Sequence, residues 1–570
     1  MGRKFKVAFS GCSEKPCGLT GFHDLGCIAK TRRQGERVER GFAVYVGGGL
    51  GPVPHAAELL DEFVTFEKLF PLSLAICRVF TKYGERENRS RARMKFLLMK
   101  LGLEEFRKRV LAELDEVKFD ARWQELAEQA EQQSSSGCEQ PGSPVCASGT
   151  QVAPDASADF FRDNFMAQRQ EGYSAVTIKL PLGDLTPTQG RRIAELTRRY
   201  ANDNLRTTVE QNLLLRWVHD GDLPALYEEL AQLGLTEAGA SGITDVVSCP
   251  GTDTCKLGIS SSRGLAAELR RSLNVQQETL PEAARGLHIK CSGCFNSCAQ
   301  HHVADIGFLG VSRKVNGTRV PHFQLVVGGS WAKNGSEFGL AIGAVPSKRV
   351  PQVVQVLTET YARERQGDET FQQWAHRVGR KRVKELVADL CPVPPFEEAP
   401  DMYRDWGDPR VFSIGDIGVG ECAGEVISPS QFALAEGERL VFEAQLLLDE
   451  QDATGAAERA LAAMVQAARA VCLPLQPWMA DDAKTVGETF DRLLGDNGEF
   501  DSVSPGGRFS RYFVRARAEA SSSMNLTQAR KRVEEAQLFI DAAHAYQAKG
   551  QPAAQPGQSG SAVAIRGLNL

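Results

Sequence analysis

Four cysteines have the types and spacing to do redox chemistry. Cys249 and Cys255 are separated as C-x5-C, Cys294 and Cys298 as C-x3-C, and 38 residues lie between the pairs. Both pairs sit in turn-rich stretches, SCPGTDTCKLG and CSGCFNSCAQ. Two short loops of this kind can bring four thiolates to one inorganic cube, and a 4Fe–4S cluster is the chemistry they suggest. Two alternatives stay open on spacing alone. One is a four-cysteine zinc site, although the wide first pair departs from the usual C-x2-4-C. The other uses Cys291, which makes C-x2-C-x3-C with Cys294 and Cys298 and could hold a cluster with one open iron.

A second constellation opens the chain. Lys4 and Lys6 stand at i and i+2 in KFKVAF, a strand-like run that would turn both ammonium groups to one face. Paired lysines suit an oxyanion and can donate protons as its oxygens leave as water. GGGLG at 47–51 contains neither a P-loop nor a G-x-G-x-x-G pattern and reads as a structural turn. No dinucleotide or flavin fingerprint stands out elsewhere, so electrons must come from a separate carrier. His301 and His302 follow Cys298 and suit a supporting position. Cys422, among glycines, lacks an evident His or acidic partner, and Cys12, Cys17 and Cys27 lie towards the amino end.

The elements that would position these groups show an internal repeat. SGC at 10–12 returns at 292–294, HDLG at 23–26 as ADIG at 304–307, and YVGGGL at 45–50 as VVGGSW at 326–331, displaced by 281 or 282 residues. Strand-like KVAFS, FAVYVGGG, HFQLVVGGS and NLLLRWV alternate with helical patterns such as 91–114 and 191–201. The fold class is α+β, two duplicated domains with mixed sheets, followed by an all-α bundle at 401–548, where three amphipathic segments follow one another. Composition breaks divide the chain into a first half at 1–131, a Ser/Gly/Pro/Gln-rich disordered linker at 132–154, a second half at 155–391, the bundle, and a disordered tail at 549–570. Only eleven residues precede Cys12, so the first copy is expected to lack most of its amino-terminal part.

Composition narrows the class. With 67 Lys plus Arg against 72 Asp plus Glu over 570 residues, the chain lacks the cationic excess of a nucleic-acid binder. No apolar run reaches membrane-spanning length, and the amino end shows no secretory signal. The expected location is cytoplasmic, with the 14 cysteines reduced.

Taken together, C-x5-C, S-G-C-x-N-x-C and Q-x-x-x-A-D-I-G resemble the siroheme and iron–sulfur reductases of sulfite and nitrite. KFKVAFSGC, YVGGGLGPVPH, GERENRSRARMKF, RTTVEQNLLLRWV and GDETFQQWAHRVG extend the resemblance over residues 1–391. It implies that Cys249, Cys255, Cys294 and Cys298 hold the cluster, that Cys298 also bridges to the siroheme iron, and that Asn296 contacts the macrocycle. It further implies that Arg89 and Arg93, four apart on one helix face, bind siroheme carboxylates, and that Arg206 and Gln211 line the pocket. The implied reaction is the six-electron reduction of sulfite to sulfide, with ferredoxin as donor and Lys4 and Lys6 as catalytic residues. K-x-K rather than K-x-N favours sulfite over nitrite, whose reduction to ammonia is the alternative. Family members also use arginines and an Asn from the part expected to be missing, so an inactive cluster-binding or assembly protein is the alternative of another class. The bundle lies outside the resemblance. It is similar to HEPN-type bundles or helical-repeat modules, and oligomerisation or donor docking would suit it equally.

Overall fold

A computed structural model describes residues 4–11, 18–35, 37–88, 91–117, 120–135, 154–277, 279–331, 333–414, 419–420, 425–426, 429–476, 479–480, 482–496, 498–504, 507–520, 522 and 524–550. Arg89, Cys12, Cys17 and Cys422 lie outside them, as do residues 136–153 and 551–570 of the expected linker and tail. The chain divides into two compact units. One holds residues 1–85 and 91–427, the other residues 86–90 and 428–570.

Within the first unit, strands β1 (Val7–Ser10), β2 (Leu25–Gln34), β3 (Arg37–Val46) and β4 (Glu58–Thr65) form one sheet in that order. Its first pair is parallel and the others antiparallel. Helices α1 (Phe66–Tyr83), α2 (Met94–Leu101) and α3 (Leu103–Asp115) follow, then α4 (Ala121–Ser135) and α5 (Pro154–Asn164). Leu25, Cys27, Val44 and Val46 pack on Ile76, Val79, Leu98 and Phe106 to make the first core. The single helix expected at 91–114 is two helices. Gly102 breaks it with φ 75, a left-handed conformation that costs glycine little.

Next comes a smaller antiparallel sheet of β5 (Phe165–Ala167), β6 (Tyr173–Ile178), β7 (Leu205–Thr207) and β8 (Leu213–His219), in the order β5-β6-β8-β7. It packs on α6 (Pro187–Ala201) and α7 (Leu223–Gln232) through Ile178, Ile193, Leu196 and Leu226. The third sheet contains β9 (Val247–Ser248), β10 (Ile289–Ser292), β11 (Ile306–Val315), β12 (Thr318–Val327) and β13 (Leu340–Pro346), ordered β13-β12-β11-β10-β9. Asn316 and Gly317, with φ 48 and 85, give β11 and β12 the two-residue loop that matches strand twist. Helices α8 (Ser262–Val275), α9 (Glu282–Arg285), α10 (Val350–Glu364) and α11 (Phe371–Leu386) cover this sheet.

The repeat is visible bond by bond. β1 pairs with β2 as β10 pairs with β11, parallel, with Val7 opposite Leu25 and Ile289 opposite Ile306. Gly47 N–H donates to Asp24 O and Gly328 N–H to Asp305 O, and the two glycines have φ 79 and 75. The copies also grip each other reciprocally: Thr20 N–H donates to Asn334 Oδ1 at 2.8 Å, and His302 Nε2–H donates to Gly51 O at 3.0 Å. The GGGLG turn is therefore part of the seam between copies.

Residues 400–412 depart from the boundary expected at 401. Met402 and Tyr403 pack on Val320 of β12, so this stretch belongs to the second copy. The second unit, described by itself, is a bundle of α12 (Pro429–Asp449), α13 (Ala453–Cys472), α14 (Ala483–Phe490), α15 (Phe509–Ala518) and α16 (Leu526–Gly550). Alanines 456, 460, 463, 467 and 470 give α13 a small-residue face. Phe490, Phe500, Phe513 and Phe539 fill the remaining core with ring centroids 4.9–5.5 Å apart. Among the described residues, no helix is long and apolar enough to cross a membrane.

Candidate functional site

The cysteines come from two loops that start at neighbouring parallel strands. β9 ends at Ser248 and leads into Cys249; β10 ends at Ser292 and leads into Gly293 and Cys294. The loops are laced together by backbone: Cys249 N–H donates to Cys291 O at 3.1 Å, and the N–H groups of Ile259 and Ser260 donate to Gly293 O at 2.8 and 3.1 Å. Approach is close enough to require glycine. A Cβ on Gly293 would lie 2.8 Å from Gly251 Cα, and one on Gly310 would lie 2.3 Å from Gly293 O.

The sulfurs act on one another. Burial pushes the Cys294 thiol well up, and the sulfurs of Cys298, Cys249 and Cys255 add to that rise, against a hydrogen bond from Asn296 N–H. Gly293 N–H donates to Cys249 Sγ at 3.1 Å, and Ser262 Oγ lies 3.3 Å from the same sulfur. Cys249 and Cys294 are buried, Cys255 is half-buried and Cys298 is exposed. Cys291 also feels the sulfur of Cys249, but it sits on β10 rather than in either loop. It alternates with Lys290 and Ser292 on β10, and its side chain lies with Ile289 and Phe308 in the core, where burial raises its thiol.

Four thiolates supplied by two loops suit a cube in which each iron takes one of them. A tetrahedral zinc would need every sulfur within about 2.3 Å of one point. Among the described residues, no three His, Cys, Asp or Glu groups are gathered so as to hold a metal ion. The sulfurs of Cys298, Cys249 and Cys255 all act on Cys294, as thiols on two loops serving the separate corners of one cluster would. Ser248 Oγ and Ser297 Oγ, next to Cys249 and Cys298, are buried without a hydrogen-bond partner, as hydroxyls facing sulfide or a macrocycle would be in its absence.

The first copy contributes a cationic group. The strand expected from Lys4 starts only at Val7, but Lys6 holds its register: its carbonyl accepts from Leu25 N–H at 3.1 Å and its N–H donates to Asp24 Oδ2 at 2.9 Å. Lys4 and Lys6 are open to solvent at their ends. Protein crowding around Lys6, then the like charges of Arg93 and Lys4, hold its pKa below the lysine norm, while Cys298 and Asp24 pull it up. Cys298 of the second copy is thus among the groups that act on Lys6 of the first. Asp24 is fully buried and receives Arg93 Nη2–H at 2.7 Å and Nε–H at 3.4 Å. Arg93 precedes α2 in extended conformation, φ −86 and ψ 151, so it is not on a helix face as expected. His23 Nδ1–H donates to Leu19 O at 2.8 Å, and burial lowers its pKa.

The remaining expected contacts divide. Asn296 is half-buried between Cys294 and Cys298. Gln211, at φ 68, spends its amide on Ser248: Nε2–H donates to Ser248 O at 2.9 Å and Oε1 accepts Ser248 N–H at 3.3 Å. It thus braces the residue before Cys249. Arg206 lies on β7, the edge strand, exposed, with Nη1–H on Leu205 O. Sequence reasoning used HDLG only as a repeat landmark and so missed Asp24. Lys290 was also missed. It is buried on the polar face of β10, with Nζ 3.2 Å from Gln300 Oε1 and 3.8 Å from the Trp331 ring centroid. His301 Nδ1 meets Ser292 Oγ at 2.9 Å while its buried Nε2 has no partner. His302 is brought down to about 4 by burial and stays neutral.

A duplicated α+β fold with two cysteine loops after neighbouring parallel strands, and lysines just ahead of β1, marks a class of redox protein. The sequence matches the domain described as "Nitrite and sulphite reductase 4Fe-4S domain" over residues 1–118 and 239–393, and "Nitrite/Sulfite reductase ferredoxin-like half domain" over residues 166–233. Over residues 1–393 the chain belongs to the nitrite and sulphite reductase family, whose members are siroheme and 4Fe–4S enzymes. It is 28% identical over 406 residues to the assimilatory ferredoxin-dependent nitrite reductase of Haloferax mediterranei, covering 71% of this chain and 65% of that one. It is 29% identical over 390 residues to sulfite reductase [ferredoxin] 1 of Mycolicibacterium paratuberculosis, covering 67% and 63%. The chain thus spans less than two thirds of the length of these relatives. The fold is shared with the Mycobacterium tuberculosis NirA protein, at TM-score 0.53 and 24% identity over 67% of this chain and 64% of the other.

Proposed function

We propose that this chain reduces a small oxyanion by six electrons, sulfite to sulfide, at a siroheme coupled to a 4Fe–4S cluster, with ferredoxin as the donor. The observation that carries the reading is the pair of cysteine loops laced by backbone, with Cys249 N–H on Cys291 O and the N–H groups of Ile259 and Ser260 on Gly293 O, while Asp24 gathers Lys6 and Arg93 in the first copy. Cys249, Cys255, Cys294 and Cys298 would hold the cluster, with Cys298 also facing the siroheme iron and Asn296 the macrocycle. When bound, these groups supply the iron that takes the substrate's central atom and the relay for single electrons.

The protein's own part is charge and protons. Lys4 and Lys6 bind the oxyanion's oxygens. Each oxygen leaves as water, and the lowered pKa of Lys6 makes its proton easier to give. Buried Asp24 fixes the backbone of Lys6 and the guanidinium of Arg93 in one stroke, and Arg93 is then set to meet a macrocycle carboxylate.

Nitrite is the second reading, favoured because the Haloferax relative is named a nitrite reductase. The test is purification under reducing conditions, iron and sulfide analysis, a visible spectrum, and viologen-driven assays with each anion. Soret and α-type bands with sulfite turnover support the proposal. Iron without tetrapyrrole bands leaves a cluster-binding protein, and a Lys6→Asn variant with unaltered sulfite/nitrite preference removes the ground for choosing sulfite.

A further inference from the structure

The stretch after the family match has its own task. The matched domain ends at residue 393, yet residues 400–412 fold back over the second copy. Tyr403 Oη–H donates to Pro394 O at 2.9 Å, and Phe412 N–H donates to Tyr403 O at 2.8 Å, which closes the stretch on itself. At its centre Asp405 is buried, and three donors converge on its carboxylate: Ser261 N–H at 2.7 Å, Ser347 Oγ–H at 2.9 Å and Trp406 N–H at 2.9 Å. Trp406 Nε1–H donates to Ser347 O at 3.0 Å, and Lys348 Nζ lies 4.0 Å from its ring centroid. The backbone of Trp406 presses on α8 so closely that a Cβ on Gly264 would stand 2.3 Å from its carbonyl oxygen.

Ser261 is the link to chemistry. It is the N-cap of α8, its Oγ accepting Gly264 N–H at 3.2 Å, and it ends the loop that starts at Cys249 and carries Cys255. The two residues before it bond to Gly293, next to Cys294. A carboxylate holding Ser261 therefore holds one end of both cysteine loops. Between the stretch and the Cys255 loop lies a cavity of about 820 Å³, lined by Cys255, Lys256, Arg263, Trp406, Arg410 and Phe412.

We propose that residues 400–412 are a strap that keeps the Cys255 loop in its metal-binding shape, with Asp405 as the positioning residue, and that the cavity beneath it governs access of solvent and chelators to that edge of the cluster. This rests on the four-cysteine reading above. A buried carboxylate accepting three hydrogen bonds orients its partners more strongly than neutral pairs do.

The test uses the full chain. Amide hydrogen exchange of peptides covering 250–262 is measured in the wild type, Asp405→Ala, Asp405→Asn and Gly264→Ala, together with the rate of iron loss to EDTA. Loss of a charged hydrogen bond corresponds to about a tenfold to hundredfold rise in both rates in Asp405→Ala, with a smaller rise in Asp405→Asn, which keeps one acceptor oxygen. Peptides from 25–46 should be unaltered. Gly264→Ala would bring a Cβ to 2.3 Å from the Trp406 carbonyl oxygen and 2.7 Å from Ser261 Oγ, unseating the strap from the Ser261 cap while the Asp405 carboxylate is kept, and it carries the test should Asp405→Ala not fold. Unchanged exchange and iron loss in either variant overturns the strap, as does exchange rising equally in every peptide. Normal iron content with unaltered exchange sinks the strap alone. A wild type that binds no iron sinks the cluster reading, while the exchange arm still decides whether the strap holds the loop.

Discussion

Lys290 offers a sharp test because its charge is buried with so little to meet it. Its side chain is 1% exposed, its ammonium is answered by one amide oxygen and the face of Trp331, and Glu210 and Asp245 act on it only through space. Burial brings its pKa from 10.5 to about 7. In the unfolded chain it returns to an ordinary lysine. Between about pH 7 and 10.5 the unfolded chain therefore binds a proton that the folded one does not, and stability rises with pH across that window. Below it both states are protonated and the full penalty is present. At about 1.4 kcal/mol per pH unit the penalty is about 5 kcal/mol, to order of magnitude. Lys290→Met keeps the length, removes the charge and forfeits the bond to Gln300, which costs about 1 kcal/mol at any pH. The variant should therefore gain on the wild type by several kcal/mol more at pH 6 than at pH 10. The assay is guanidinium unfolding of cluster-free protein at both pH values, wild type against variant. A stability difference that is the same at both, or that favours the wild type more at pH 6, refutes the account of Lys290 as a desolvated charge.

Other outcomes follow from the same geometry. If Lys6 supplies protons, activity falls as pH rises through its pKa, and that fall comes below the ordinary lysine range. Asp24→Asn should move the alkaline limb of the pH–rate profile further down and Arg93→Met should move it up, so shifts in the same direction would exclude Lys6 as the group observed. Cys291→Ala should retain iron and sulfide, because that thiol belongs to the core, whereas Cys294→Ala should lose them; the check is elemental analysis with the 400 nm region of the spectrum. In the bundle, Phe539→Ala removes a ring from a four-phenylalanine core and should destabilise that unit by about 3–5 kcal/mol, measured by calorimetry, with iron content unaltered.

Much of this was legible in the residues themselves. Loop chemistry is local: the cysteine pairs, the glycines between them and the repeat landmarks are written at short range, and the duplication could be read before any strand was seen, because Gly47 and Gly328 must both end a strand in a left-handed turn. The helices at 429–449, 453–472 and 526–550 were equally plain from their period, whereas the short helices at 483–490 and 509–518 were not read from it. What failed were statements needing a third dimension. Arg93 read as helical from its flanking pattern, but an ion pair with a buried aspartate 69 positions earlier draws it out ahead of the helix. Residues 400–412 followed a proline-rich break and were grouped with the bundle, whereas Asp405 finds its donors in the second copy.

By itself, then, the sequence determined which atoms are available: four thiols in two short loops, two lysines two residues apart, and a doubled strand pattern to carry them. Only the tertiary structure decided which of those atoms meet. It turned Cys291 into the apolar core and its buried neighbours Lys290 and Ser292 to the other face, let Cys298 of one copy act on Lys6 of the other, and chose Asp24, Gln211 and Asp405 as braces. The reason is physical. Ligand type and spacing are properties of the chain over a few residues, but convergence depends on how sheets pair and pack, and a buried carboxylate or amide takes whichever donors that packing places within 3 Å of it.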